Sequence, residues 1–221
     1  MDRYYFLHSG VEIITTIIPI PTIEPSEIYL ARVSVNTRQY PSHTWRAAQY
    51  SAGREALAIA SLAYGLDCKK IVFKIVNEDG GKLIGTCGNA LASASIAHTD
   101  SIALAVVGSE GFSIGIDVED ANRIVGPDVL RYIASEGELA TSSSLPSNAE
   151  MLAVWTKKEA ITKATGYGLV VAKEILPIDR TSWSWKSRIF TVVNWNFEYN
   201  IRSYNISLAV ESGQSCTSSL T

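Results

Sequence analysis

Between Ser147 and Gly166 the sequence carries both ends of a helix. Ser147 and Glu150 form an S-x-x-E capping box, in which each residue satisfies a backbone donor left free at a helix start. Gly166 and Gly168 supply the stop. The helix they bound runs to about Ala164. At 100° per residue, Met151, Val154, Trp155 and Ile161 form its apolar stripe. Such a stripe must lie against another element, and the flanking sequence offers strands for it.

Tyr4–Leu7 and Val11–Ile20 are rich in aromatic and β-branched residues and read as strands, broken by Pro19, Pro21 and Pro25. Glu27–Val35 is a further strand. Thr44–Tyr64 changes to an Ala-rich helix with Gly65 as its stop. Then come a strand at Lys70–Val76, a turn at Asn77–Gly81, a loop holding Gly85 and Gly88, and a strand near Ser93–His98. Ile102–Val107, the turn Gly108–Gly111 and Phe112–Glu119 read as a β-hairpin. Pro127–Ile133 is a short helix, and Ile189–Phe197 and Tyr204–Val210 are strands. Ser212–Thr221 is small, polar and frayed. Each half mixes strands with one long helix, without strict strand–helix alternation, so the class is α+β. No repeat of residue identity is visible.

The 221 residues can bury a substantial core, and 47% hydrophobic against 19% charged residues argues against disorder. A formal charge of −3 argues against a general nucleic-acid binder. No secretory leader or bilayer-length apolar run is present. Cys68, Cys87 and Cys216 show neither a disulfide framework nor zinc-ligand spacing. A reduced, cytoplasmic protein is expected.

In Phe112–Glu119, Phe112, Ile114, Ile116 and Val118 take one face of the strand, and Ser113, Gly115, Asp117 and Glu119 the other. The two acids then point the same way, about 6–7 Å apart at the backbone. Heads converging to ~4 Å would repel by about 4 kcal/mol at an effective dielectric of ~20, and a cation would turn that repulsion into binding. Carboxylate oxygens suit Mg²⁺, and Gly115 beside them would leave room for a ligand. Taken alone, the pair also reads as a solvated face. On the helix, Glu159 and Lys163 stand four apart, which alone would be a salt bridge of about 0.2–0.5 kcal/mol. Lys158 falls near the middle of the apolar stripe, where its stem could snorkel or its ammonium could meet a phosphate. His98 ends a strand, Arg54 lies on a helix and Lys82 follows Gly80-Gly81. Each could meet a phosphate or be an ordinary surface or structural group. His8 and His43 have no informative neighbours.

The order of these residues is more telling than any one of them. Ile114-Gly115-Ile116-Asp117-Val118-Glu119, followed by Trp155-Thr156-Lys157-Lys158-Glu159-Ala160-Ile161-Thr162-Lys163, resembles the signature of the 4′-phosphopantetheinyl transferase superfamily: G-(I/V)-D, then W-(S/T)-x-K-E-(A/S)-x-x-K. The likeness is to the longer, single-chain surfactin-synthetase-activator type. Gly81-Lys82 resembles that type's G-K-P loop, Ser95-Ile96-Ala97-His98 its S-I-S-H strand end, and Ala52-Gly53-Arg54 a helix motif of enterobactin-type members. Leu83 departs from the usual proline and Ala97 from the usual serine. The resemblance spans about Gly53 to Leu169.

The resemblance implies two similar α+β halves related by a pseudo-two-fold axis, residues 1–111 and 112–221, with coenzyme A in the cleft between them. The first half would supply nucleotide contacts through Arg54, Lys82 and His98. The second would carry the Mg²⁺ ligands Asp117, Glu119 and Glu159. Lys163 would stabilise the pyrophosphate as its bond breaks, with Lys158 assisting. Phosphopantetheine would pass from coenzyme A to a serine of an apo acyl, peptidyl or aryl carrier protein, releasing adenosine 3′,5′-bisphosphate. An acid on the short helix between the motifs would take the serine proton. Glu138 is preferred and Glu136 is the alternative. The carrier would dock on an apolar patch between Ile124 and Leu145. A monomer without nucleic-acid or membrane partners is expected, and the single-chain type leans towards secondary metabolism. The rival readings are a non-catalytic coenzyme A or carrier-binding protein, and another Mg²⁺-dependent phosphoryl or nucleotidyl-transfer enzyme.

Overall fold

The structure, a computed structural model, describes residues 7–8, 11–12, 28–35, 45–64, 72–76, 82–87, 90–109, 111, 113–135, 138 and 146–212. They form β1 (Leu7–His8), β2 (Val11–Glu12), β3 (Ile28–Ser34), α1 (Trp45–Ala63), β4 (Val72–Val76), β5 (Lys82–Cys87), β6 (Ala90–His98) and β7 (Ile102–Ser109). Then follow β8 (Ile114–Asp120), α2 (Pro127–Ile133), α3 (Asn148–Thr165), a 3-10 helix (Leu169–Glu174), β9 (Leu176–Pro177), β10 (Ser182–Trp185), β11 (Arg188–Tyr199) and β12 (Arg202–Glu211).

Two antiparallel five-stranded sheets share one topology, β3-β7-β6-β5-β4 and β8-β12-β11-β10-β9. In each, a strand leads to a long helix, four strands fold back as a meander, and the last pairs with the first. The fold is α+β, and its internal repeat lies in topology where residue identity shows none.

Alternation along the strands stacks these parts into helix, sheet, sheet, helix. On β7, Ala103, Ala105 and Val107 face α1, where Ala52, Ala56 and Ala60 let the helix sit close. Ile102, Leu104 and Val106 face the other way, against Ile114, Ile116 and Val118 of β8 and the apolar residues of β12. Burial on both faces explains the unbroken apolar run of β7. Beyond the second sheet, Ala160, Ile161 and Ala164 of α3 close a third core with Phe190, Val192 and Ala209.

The expected helices and the capping box are present. Glu150 N donates to Ser147 Oγ at 3.3 Å, and Ser147 N donates to Glu150 Oε2 at 2.7 Å. Gly166 ends α3 at φ 83°. Three expectations are corrected. The hairpin joining Ile102–Val107 to Phe112–Glu119 does not form, because β7 and β8 belong to different sheets and meet across the core. Gly85 lies inside β5, paired with Phe73 and Ala92, where a loop was expected. The buried face of α3 holds Leu152, Thr156, Lys158, Ala160 and Ile161, while Met151, Val154 and Trp155 are only half-buried. On that face Thr156 meets Asn205 and Ser207 of the sheet beneath, polar residues where an apolar stripe expects apolar ones. The turn at residues 77–81, Cys68, Cys216, His43 and residues 213–221 lie outside the described residues.

Candidate metal and phosphate site

Among the described residues β8 is an edge strand, paired with β12 alone. Its pleat turns Ile114, Ile116 and Val118 inward and Gly115, Asp117 and Glu119 towards α3. The open edge is satisfied partly from the other sheet: Ile116 N donates to Ser95 Oγ of β6 at 3.1 Å. Buried backbone donors need such partners.

Gly115 serves differently from the expectation. A Cβ there would lie 2.0 Å from Ala160 O and 2.6 Å from Ala164 N. The glycine makes room for the backbone of α3 rather than for a ligand. That close approach brings Glu159 and Lys163 over the acids of β8. Lys163 Nζ donates to Asp117 Oδ1 at 2.8 Å and stands 4.0 Å from Glu159 Oε1. One oxygen from each of Asp117, Glu119 and Glu159 lies within 4.8 Å of the others.

The electrostatics are those of a crowded anionic site. Burial, then repulsion from Asp117, raises the Glu159 carboxyl to about 7. Burial also raises Glu119, against the pull of a hydrogen bond from Arg123. Burial opposes the charge on Lys163, but Asp117 and Glu159 outweigh it and raise its pKa. Asp117 Oδ2 and Glu159 Oε2 are buried and have no hydrogen-bond partner among the described residues. One lysine therefore leaves two carboxylate oxygens unanswered. Three carboxylates without thiol or imidazole among them are a donor set for a hard divalent cation such as Mg²⁺. These residues fit the ion.

Around them, Glu119 Oε1 accepts from Arg123 and, at 3.1 Å, from Trp155 Nε1, and the Arg123 guanidinium lies 5.1 Å from the centre of the Trp155 ring. Asn148, the first residue of α3, holds the segment carrying Arg123: its side chain accepts from Val125 N and donates to Arg123 O. Ser95 and Asn148 escaped the sequence reading, since each acts through a partner distant in the chain, and Arg123 escaped it although Glu119 stands only four residues before it. His98 lies near enough for Lys163 to help depress its pKa, second to the effect of burial. Arg54 is exposed on α1, 6.0 Å from the Tyr50 ring, and no described contact joins it to the acids. Lys82 opens β5, and its side chain lies outside the described ones, as does that of Leu83. Ala97 is buried in the core between the sheets.

Lys158 and Glu138, on separate segments, meet each other. Lys158 Nζ is fully buried and donates to Ile133 O at 2.9 Å, Ala172 O at 3.1 Å and Glu138 Oε2 at 2.6 Å. An ammonium has three hydrogens, so none is left for a phosphate. Glu138 Oε2 also accepts from Ser135 N and Oγ, both at 2.8 Å. The pair ties α2, α3 and the 3-10 helix together, with Glu138 engaged by both Lys158 and Ser135. Glu136 lies outside the described residues.

Residues 113–209 match the family model of the 4′-phosphopantetheinyl transferase superfamily. The matched stretch holds Asp117, Glu119, Glu159 and Lys163, and it runs through β8, α3 and most of β12. The superfamily is one of transferases that move phosphopantetheine. The match does not separate the single-chain type from the others. No curated protein matches the chain. Among the described residues, no helix is long and apolar enough to cross a membrane.

Proposed function

We propose that the chain transfers the 4′-phosphopantetheine group of coenzyme A to a serine hydroxyl of an apo carrier protein, with Mg²⁺, releasing adenosine 3′,5′-bisphosphate. The observation that carries this reading is the meeting of Asp117, Glu119 and Glu159 with Lys163 across the β8–α3 contact, inside the stretch that matches the superfamily. Attack of the serine oxygen on the β-phosphorus breaks the bond to the bridging oxygen, and negative charge grows on the leaving phosphate. A site answers that charge with cations placed beforehand, since phosphoryl transfer needs little covalent help from the protein.

Asp117, Glu119 and Glu159 would hold the metal, which when bound supplies positive charge to the phosphate oxygens. Lys163, steadied by Asp117, would face the leaving oxygen. Arg123 and Trp155 orient Glu119. His98, at the rim beside Lys163, would contact the nucleotide, and Arg54 and Lys82 would do so from the first half. With Glu138 tied to Lys158, Glu136 becomes the candidate acceptor of the serine proton. Ile124 and Tyr132 are exposed near α2 and would begin the carrier-docking surface.

The test is to mix the protein with coenzyme A, Mg²⁺ and apo acyl, peptidyl or aryl carriers, then weigh the carriers. A gain of one phosphopantetheine on the serine supports the reading. No gain on any carrier sinks it.

A further inference from the structure

The face of the second sheet that α3 covers is built in rows. Strand register sets Gly115, Ala209 and Val192 side by side, then Asp117, Ser207 and Asn194, then Glu119, Asn205 and Asn196. Only the first row is small and apolar, as a helix-covered sheet face ordinarily is. The other two are polar across all three strands, and Ser207 and Asn205 are buried there.

Thr156, fully buried on α3, drops onto these rows. Its hydroxyl lies 2.8 Å from Asn205 Oδ1 and 2.9 Å from Ser207 Oγ. Asn194 reaches in from β11, its Nδ2 lying 2.8 Å from Asn205 Oδ1, 2.9 Å from Ser207 Oγ and 3.0 Å from Ile206 O. Asn205 Nδ2 donates in turn to Asn196 Oδ1 at 3.0 Å. An apolar contact tolerates sliding and rotation. A buried hydrogen-bonded set does not, because a displaced member leaves a buried polar atom unpaired.

We infer that Thr156, Asn194, Asn205 and Ser207 are positioning residues, which fix the height and rotation of α3 so that Glu159 and Lys163 meet Asp117. The helix is seated at two points. Gly115 sets the distance under Ala160 and Ala164. The polar rows set the rotation at Thr156, one turn before Glu159 and Ala160. Glu159 lies between the two seats, and Asp117 lies in the same row as Ser207 and Asn194, so a change in that row is felt at the metal ligands. Thr156 occupies the S/T position of the helix motif, and the network gives that hydroxyl a task.

The inference rests on the proposed metal site, and metal binding separates the two. Mn²⁺ binding to the full-length protein, without coenzyme A or carrier, is followed by the electron paramagnetic resonance of the free ion. Wild-type protein that takes up no Mn²⁺ sinks the metal reading itself. With wild-type binding established, Thr156→Val removes the hydroxyl at nearly constant shape, and its Mn²⁺ affinity is expected to fall tenfold or more, as for residues that orient metal ligands from behind. Thr156→Ser should return to within about twofold of wild type. Asn194→Ala, at a half-buried position, is expected to fall in the same way and decides the matter if Thr156→Val does not fold. Leu57→Ala, on the buried face of α1 in the other core, lowers the melting temperature and should leave Mn²⁺ affinity unchanged. Wild-type affinity in Thr156→Val or Asn194→Ala overturns the inference. So does failure of Thr156→Ser to differ from Thr156→Val, or an equal loss of affinity in Leu57→Ala.

Discussion

Lys163 donates to Oδ1 of Asp117 at 2.8 Å, while the other oxygen of that carboxylate is buried and has no hydrogen-bond partner among the described residues. The same holds for Glu159, 4.0 Å from Lys163 through one oxygen and unpartnered at the other. Burying carboxylate oxygens unanswered is costly, and a site that does so holds strain that a cation would relieve.

The first consequence is a trade between stability and activity. Glu159→Gln removes a charge repelled by Asp117 and Glu119 while keeping the side-chain shape. The variant should melt higher than wild type near pH 8 without metal, and its transfer rate should fall by about a hundredfold or more. Asp117→Ala should lose transfer to a similar degree and remain folded. Melting curves and carrier mass read both.

The pH dependence has a definite sign. Glu159 titrates at about 7 in the folded protein against an ordinary value of 4.5. Between those values the folded, metal-free state holds more protons than the unfolded one, so this group's contribution to stability falls as pH rises through about 7. Glu119 is displaced the same way. His98 is displaced downward and works in the opposite direction, so the comparison with Glu159→Gln isolates Glu159. The melting-temperature gap between variant and wild type should widen from about pH 5 to about pH 8 without metal. Mg²⁺ competes with the same proton, so it should stabilise the wild type more at about pH 8 than at about pH 6. A gap constant with pH would contradict the assignment.

Gly115→Ala tests the seat of the helix. Its Cβ would meet backbone atoms of α3 at 2.0 and 2.6 Å, which only movement of α3 or β8 can relieve. A loss of about 1–3 kcal/mol or more is expected from denaturant unfolding, with weakened Mn²⁺ binding. A neutral effect on both would show that the approach is looser than described.

Lys158→Met tests the buried tie. Removing the ammonium leaves the Ile133 carbonyl without that donor and takes the counter-charge from Glu138, while Glu138 Oε2 keeps Ser135 and the Ala172 carbonyl keeps Ile175 N. Breaking a buried pair costs about 3–5 kcal/mol. At roughly 2–4 °C per kcal/mol for a chain of this size, the melting temperature should fall by at least about 6 °C. Adding Glu138→Leu should recover part of the loss, because the carboxylate left without its counter-charge goes with it. The KM for coenzyme A, measured below the melting transition, should barely change. A large rise there would restore Lys158 to the phosphate site.

Local signals in the sequence led to the right elements where the cause was itself local. Ser147, Glu150 and Gly166 mark the ends of α3, and the alternation from Ile114 to Glu119 turns the acids away from the core. The meeting of β8 with α3 followed from the joint order of two motifs, which local physics alone did not reveal. What escaped depends on partners distant in the chain. The rotation of α3 is set by Asn194, Asn205 and Ser207, 38 to 51 residues beyond Thr156. A hydrophobic stripe carries no trace of a polar sheet face. Gly115 looked like space for a ligand because the helix that fills it lies 45 residues on. Lys158 drew attention as a cation in an apolar stripe, but the carbonyls that occupy it belong to α2 and the 3-10 helix.

The most direct test of the central claim is the mass of an apo carrier protein after incubation with this protein and coenzyme A, with Mg²⁺ or with excess chelator. The account predicts a gain of one phosphopantetheine on the carrier serine with Mg²⁺, none with chelator, and none with Glu159→Ala. Unchanged mass for acyl, peptidyl and aryl carriers alike would contradict it, as would an equal gain in chelator or with Glu159→Ala.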